Sequence, residues 1–213
     1  MDNIKAVIFD LDGVICSTDK YHYLAWKQVA DEIDVYFDEK INNRLRGVSR
    51  MDSLNIILER ADRTFSQEEK NALAEKKNGI YVELLDRMSE QDLSGEVKST
   101  LHTLRDEGHL LAIGSSSKNT KKILRRIGLS DYFDAVSDGT NISRSKPDPE
   151  VFLKAAEMLS VSPGNSLVVE DAKAGISAAA AGGFLSAGLG EASEHESVTY
   201  KLNSFSDLID ILN

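Results

Sequence analysis

Five short apolar runs, set apart by longer stretches of helical periodicity, constrain this chain more than any other feature. The first is Ile4–Phe9, followed by Leu110–Ile113, Ala135–Val136, Leu167–Val169 and Phe184–Ala187. Each is bounded by polar residues or glycine. They do not alternate apolar with polar, so they read as strands buried on both faces. Helical stripes separate them: Val97, Leu101 and Leu104; Ile123, Leu124 and Ile127, with Gly128 as the stop; and Phe152, Ala155, Ala156 and Leu159. Asp148 and Pro149 mark the start of the third stripe as a cap and a first-turn residue. Ile176 to Ala181 is a helix of small residues that Gly182-Gly183 ends. Alternation of this kind predicts an α/β fold, a Rossmann-like parallel sheet with helices on both faces.

Residues 17–88 break the pattern. They hold no strand-like run. Trp26, Val29, Ala30 and Ile33 repeat at helical spacing, as do Leu54, Ile57, Leu58 and Ala61. Ser66 with Glu69 reads as a capping box at the head of a charged amphipathic segment that reaches Met88. The expected organisation is therefore an α/β core, residues 1–16 and 89–213, with an all-helical domain, 17–88, inserted after the first strand. The crossings near Cys16–Thr18 and Met88–Glu90 are expected hinges. The stretch Gly190–Asn203 carries no clear pattern.

In open α/β sheets, ligands bind beyond the carboxyl ends of the strands. The first strand is followed there by Asp10, Leu11, Asp12 and Gly13, and the second by Ser115, Ser116 and Ser117. Lys146 follows a loop after the third, and Glu170 and Asp171 follow the fourth. Four carboxylates on one rim repel unless a cation sits among them, and hard oxygen ligands suit Mg²⁺ with a phosphate as a further ligand. An aspartate in such a rim can attack a phosphoryl group, while a hydroxyl and a lysine neutralise the moving oxygens. A second carboxylate two residues on can work as general acid and base.

Asp10-Leu11-Asp12-Gly13, Ser115, Lys146-Pro147 and Glu170-Asp171 resemble the four motifs of the haloacid dehalogenase superfamily, and the helical insert resembles its C1 cap. Narrower marks are similar to the β-phosphoglucomutase family. These are Tyr21-His22 with Ala25-Trp26, Leu45 to Arg50, Lys76-Lys77-Asn78, and Ser115 to Asn119. The resemblance covers nearly the full length. It implies interconversion of β-glucose 1-phosphate and glucose 6-phosphate through an aspartyl-phosphate and a β-glucose 1,6-bisphosphate intermediate. It implies Asp10 as nucleophile, Asp12 as acid/base, Ser115 and Lys146 as phosphoryl-stabilising groups, and Mg²⁺ held by Asp10, the Asp12 carbonyl, Glu170 and Asp171. Arg50 would hold the distal phosphate with help from Ser117 and Asn119. Thr18, His22, Gly47, Ser49 and Lys77 would complete a closed site, with cap closure excluding water. Arg46 stands where the family has lysine, Cys16-Ser17-Thr18 where it has Thr-Asp-Thr, and Ser94-Gly95 where it has Pro-Gly. Ala178–Ala181 replaces a bulkier, more polar stretch.

Plainer readings stand beside these. His22 can be a cap histidine bonded to backbone, and Trp26 can be cap core rather than a sugar platform. Ser116 reads as filler, and Cys16 as a small hydrophobe. Three functions compete: a sugar phosphomutase, a sugar-phosphate phosphatase using the same phospho-aspartate, and a receiver-like module with a phosphorylatable aspartate. Asp12 and the helical insert argue against the third. The net charge of −10 argues against nucleic acid or an anionic membrane as partner. One cysteine closes no intrachain disulfide, and no apolar run nears the ~18–20 residues of a membrane span. The start of the chain lacks a signal-peptide layout. The expectation is a cytoplasmic monomer acting on a small phosphosugar.

Overall fold

The computed structural model describes residues 4–45 and 49–213. In chain order the regular elements are β1 (Ala6–Phe9), α1 (Asp19–Glu32), α2 (Glu39–Asn43), α3 (Arg50–Leu58), α4 (Gln67–Leu84), α5 (Gly95–Asp106), β2 (Leu110–Gly114), α6 (Thr120–Arg126), β3 (Ala135–Ser137), α7 (Glu150–Leu159), β4 (Ser166–Glu170), α8 (Lys173–Ala181), β5 (Leu185–Gly188), β6 (Tyr200–Lys201) and α9 (Asp207–Leu212). The chain splits into two compact units, Met1–Ser17 with Met88–Asn213, and Thr18–Arg87.

The larger unit is built on a parallel sheet ordered β3-β2-β1-β4-β5-β6. β1 lies inside it, Ala6 opposite both Leu110 and Ser166 and Phe9 opposite Ile113 and Val169. That position explains why its sequence is apolar without a break. Ile8 packs with Val151, Phe152 and Ala155 of α7 and Ala178 and Ala179 of α8. Phe9, pointing the other way, meets Phe133 and Phe205 at ring-centroid distances of 6.3 and 5.7 Å. Successive residues of a strand face opposite sides, so both faces must be apolar when both are covered. The fold is the expected α/β Rossmann-like core.

Small residues set the helix distances. A Cβ on Gly114 of β2 would lie 2.6 Å from the Phe152 ring, so the glycine is what lets that ring settle on the sheet. Gly128, at φ +80°, stops α6 as its sequence suggests. α7 begins one residue later than expected. Pro149 takes the cap position and Asp148 Oδ1 still accepts from the Glu150 N–H at 3.0 Å. The patternless stretch after Gly190 forms a short 3₁₀ turn, Gly190–Glu194, and then β6. Two residues of edge strand are too short to leave a periodicity in sequence.

Every regular element among the described residues of the smaller unit is helical. Its core gathers Trp26, Val29 and Ala30 of α1, Ile41 of α2, Leu54 and Ile57 of α3, and Ala74 of α4. Ser66 and Glu69 form the reciprocal capping box at the head of α4. The charged segment is helical from its first turn, ends at Leu84, and tightens into a 3₁₀ turn, Leu85–Arg87. Among the described residues no helix is long and apolar enough to cross a membrane.

Candidate active site

The carboxyl ends of β1, β2, β3 and β4 bring the predicted core residues to one rim. Asp10 leaves β1 with its N–H bonded to the Val169 carbonyl at 2.9 Å, which ties the end of β1 to the end of β4. Glu170 closes β4 and is 1% exposed. Lys146 reaches in from the loop after β3, and its Nζ lies 2.5 Å from Asp10 Oδ1 and 2.5 Å from Glu170 Oε1. The same ammonium stands 4.7 Å from the centroid of the Phe152 ring, so one side of it is held against an aromatic face. Burial works against its charge, but Asp10 and Glu170 more than offset this and hold its pKa above the ordinary lysine value.

Asp10, Glu170 and Asp171 each offer a carboxylate oxygen, and these oxygens lie within 4.8 Å of one another. Burial first, then the charges of Glu170, Asp10 and Asp12, push the Asp171 pKa from 3.8 up to about 7. Burial also raises Glu170, with Lys146 opposing and Asp10 adding to the rise. One lysine does not balance this many acids. The donor set is all oxygen and carries excess negative charge, which fits a hard divalent cation. Asp12 is half-buried, and Gly13 beside it has φ +88°. A Cβ on Gly13 would fall 2.0 Å from Asp171 Oδ2. Gly13 is thus required both by its backbone conformation and by the closeness of the two acidic segments. Gly175 is required by closeness alone, since a Cβ there would sit 1.9 Å from Glu170 Oε1.

A stability test follows. Asp171 holds a proton more tightly folded than unfolded, so the cation-free protein binds more protons than its unfolded chain between about pH 4 and pH 7. Its contribution to stability is present below the unfolded pKa of 3.8 and is lost as pH rises through about 7. In EDTA the melting temperature should therefore fall between about pH 5 and pH 7.5. Millimolar Mg²⁺ should abolish that fall, because a bound cation favours the charged carboxylates. Scanning calorimetry with and without Mg²⁺ reads both limbs; a slope unaltered by Mg²⁺ counts against the cation site.

Ser115 is buried at the end of β2, its N–H bonded to the Ser137 carbonyl at 3.1 Å and its Oγ accepting from Ser117 N–H at 3.2 Å. Ser117 Oγ accepts from the N–H of Asn119, the half-buried residue that caps α6. Ser116, read as filler, accepts from the Lys146 N–H at 3.4 Å and so helps seat the lysine loop. A Cβ on Gly139 would lie 2.4 Å from the Ser116 carbonyl oxygen. That glycine lets the two loops pass closely.

In the smaller unit, Thr18 is fully buried and accepts from the Tyr81 hydroxyl at 3.2 Å. His22 is stacked on Tyr81 with centroids 4.1 Å apart, and its Nδ1 is 2.6 Å from Lys77 Nζ. Its partner is a side chain, not the backbone of the plainer reading. Burial, then Lys77 and Arg50, lowers the His22 pKa to about 3, so the ring is neutral and accepts from the lysine. Lys77 is only 3% exposed and also faces the rings of Trp26 and Tyr81 at 5.1 and 4.7 Å. Its neighbour Lys76 pairs on the surface with Glu32. Trp26 corrects the sugar-platform reading. It is 3% exposed and belongs to the apolar core of the helical unit, where its ring meets Lys77. Ser49 is the cap of α3, accepting from Asp52 N–H at 3.2 Å and donating to Asp52 Oδ2 at 2.6 Å. Arg50 is exposed and donates to Asn78 Oδ1 at 2.9 Å. Gly47 and Arg46 lie outside the described residues.

The sequence left Phe152, Gly175 and Asn78 without a site role. Gly175 carried a faint signal, a glycine inside a helix five residues past a strand-end acid.

The fold and rim place the chain in a known class: it belongs to the haloacid dehalogenase-like hydrolase family, whose model matches residues 4–183. Within that class it is similar to a β-phosphoglucomutase of Bacillus subtilis. The two are 44% identical over 190 residues, covering 88% of this chain and 84% of the relative. The crystal structure of a β-phosphoglucomutase from Clostridium difficile matches with a TM-score of 0.82 and 39% identity, covering 96% of this chain and 93% of that one. A fructose-1-phosphate phosphatase of Escherichia coli is 34% identical over 186 residues, covering 86% of this chain and 95% of the relative.

Proposed function

We propose that this chain is a β-phosphoglucomutase, interconverting β-glucose 1-phosphate and glucose 6-phosphate through an aspartyl-phosphate and a β-glucose 1,6-bisphosphate intermediate. The 44% identity to the Bacillus subtilis enzyme carries the choice of activity. The Asp10–Lys146–Glu170 contact supports the chemistry.

In this reading an Asp10 carboxylate oxygen attacks phosphorus in the bisphosphate. The phosphorus–oxygen bond to the sugar breaks, and Asp12 gives its proton to the departing alkoxide. The incoming β-glucose 1-phosphate then offers its 6-hydroxyl. Asp12, now a carboxylate, takes that proton as the oxygen attacks the phospho-aspartate. The bisphosphate so formed returns its other phosphoryl group to Asp10 and leaves as glucose 6-phosphate. Lys146 holds Asp10 in place and, with Ser115, donates to the phosphoryl oxygens. Asp10, the Asp12 carbonyl, Glu170 and Asp171 would hold Mg²⁺, which supplies charge neutralisation at the phosphoryl oxygens. Arg50 holds the phosphate that is not reacting, with Ser117 and Asn119. Thr18, His22, Ser49 and Lys77 support the sugar end, and Gly47 is assigned there on the family motif.

The competing phosphatase reading shares every step to the phospho-aspartate and differs in the acceptor. Supplying β-glucose 1-phosphate, Mg²⁺ and a trace of bisphosphate, then following glucose 6-phosphate and free phosphate together, separates the two. Glucose 6-phosphate should dominate. Free phosphate released at the rate of substrate loss supports the phosphatase instead. In the same assay Arg50→Ala should lower mutase turnover by about a hundredfold, the scale of a charge-assisted phosphate contact. Hydrolysis of a small aryl phosphate, which has no second phosphate, should change less than about threefold. Equal losses in both would remove Arg50 from the distal-phosphate role.

A further inference from the structure

His195 sits in the stretch that the sequence left undecided and that the proposed mechanism does not use. Its two ring nitrogens are both engaged. Nδ1 accepts from the Ser197 N–H at 3.1 Å, and Nε2 is 2.9 Å from Ser177 Oγ. A backbone N–H can only donate, so Nδ1 carries no proton. The proton of the neutral ring is then on Nε2, which donates to Ser177. The imidazole is thus a fixed strut with one defined tautomer, not a base acting on the serine.

What it joins matters. Ser177 lies in α8, the helix that starts directly after Glu170 and Asp171. His195 ends the 3₁₀ turn Gly190–Glu194. That turn is bonded to the two acids through their own backbone: Leu189 N–H donates to the Glu170 carbonyl at 2.8 Å, and Ala192 N–H to the Asp171 carbonyl at 3.1 Å. The turn also closes on β5, where a Cβ on Gly188 would stand 2.7 Å from the Ala192 carbonyl. Glu170 and Asp171 are therefore clasped between a helix and a turn, and the Ser177–His195 bond is a side-chain bond that fastens one to the other.

We propose that His195 and Ser177 are positioning residues for the cation-holding pair Glu170–Asp171, fixing the backbone that aims the two carboxylates. The inference rests on reading those acids as cation ligands. A group that orients ligands without touching the ion affects affinity for the ion itself.

The test is a titration of Mn²⁺, a hard oxygen-seeking stand-in for Mg²⁺, into the full-length cation-free protein. Free ion is read by electron paramagnetic resonance, and urea midpoints are measured in parallel. Ser177→Ala and His195→Ala should each weaken Mn²⁺ binding about three- to tenfold, toward the lower end of what outer-shell partners contribute. The double variant should be no weaker than either single one, because both remove the same bond. His195→Gln, whose amide N–H can reach Ser177, should restore affinity to within about twofold of the parent. An unchanged Mn²⁺ affinity in both alanine variants, with lowered urea midpoints, would make the bond merely structural and overturn the proposal. Additive losses would overturn it as well. If His195→Ala does not fold, Ser177→Ala, the removal of one hydroxyl from a helix of small residues, decides alone. If the parent protein itself binds no Mn²⁺, the cation-site reading falls and this inference falls with it; a parent that binds while the variants match it sinks this inference alone.

Discussion

Asp10→Asn should abolish turnover, with a loss of about 10⁴-fold or more in kcat, because the neutral amide is not a nucleophile toward phosphorus. The change keeps size and shape and leaves the Asp10 N–H on the Val169 carbonyl, so the fold should survive. It also removes one of the acids that face Lys146 and Asp171. Quenching the parent protein with acid during turnover of radiolabelled bisphosphate should trap label on the chain, and the variant should trap none. A variant that retained near-parent mutase turnover would end any mechanism that passes through a phospho-aspartate at this position.

Lys146→Ala should be nearly as damaging, for a different reason. Its side chain is 11% exposed, and its ammonium lies 2.5 Å from both Asp10 and Glu170. Removing one member of a buried charge group strands the rest, at a cost of about 3–5 kcal/mol. The cation-free variant should melt well below the parent. Added Mg²⁺ should recover much of that loss, since a cation among the acids replaces the missing charge. Turnover should not recover. It should stay down by about 10³-fold, because no group then donates to the phosphoryl oxygens from the lysine side. Arginine is a poor substitute, since a planar guanidinium presents its charge and donors in a different geometry. Recovery of turnover by Mg²⁺ alone would reduce Lys146 to a structural counter-ion.

Much of this site is legible in the amino-acid sequence alone. Asp10, Asp12, Ser115, Glu170 and Asp171 are legible because a buried parallel strand announces its end in the sequence and the sheet sends such ends to one side, and Lys146 because it follows the loop after the third strand just before Pro147. The helical insert was legible because period-3.6 stripes and the Ser66–Glu69 box are local signals. Trp26 was open between two readings, since an aromatic on an apolar stripe looks the same whether it faces a ligand or a core. Its burial settled that. His22 was also open, and its partner proved to be Lys77, 55 residues away in sequence.

The net charge of −10 spoke against anionic partners at large and was silent about the rim. There the same acidity becomes the reason for a cation site. The distinction is one of range. The main strands and helices and the order of the motifs depend on neighbours a few residues apart, and the sequence by itself determined them, short of the cap of α7 and the edge strand β6. The tertiary structure decided what lies across long separations: Lys146 against Asp10 over 136 residues and against Glu170 over 24. It also decided that Gly13 must lack a side chain, because only the packed chain brings Asp171 within 2.0 Å of where a Cβ would be. Such approaches depend on how whole elements pack, and no local pattern encodes a distance between residues that meet only after the sheet is assembled.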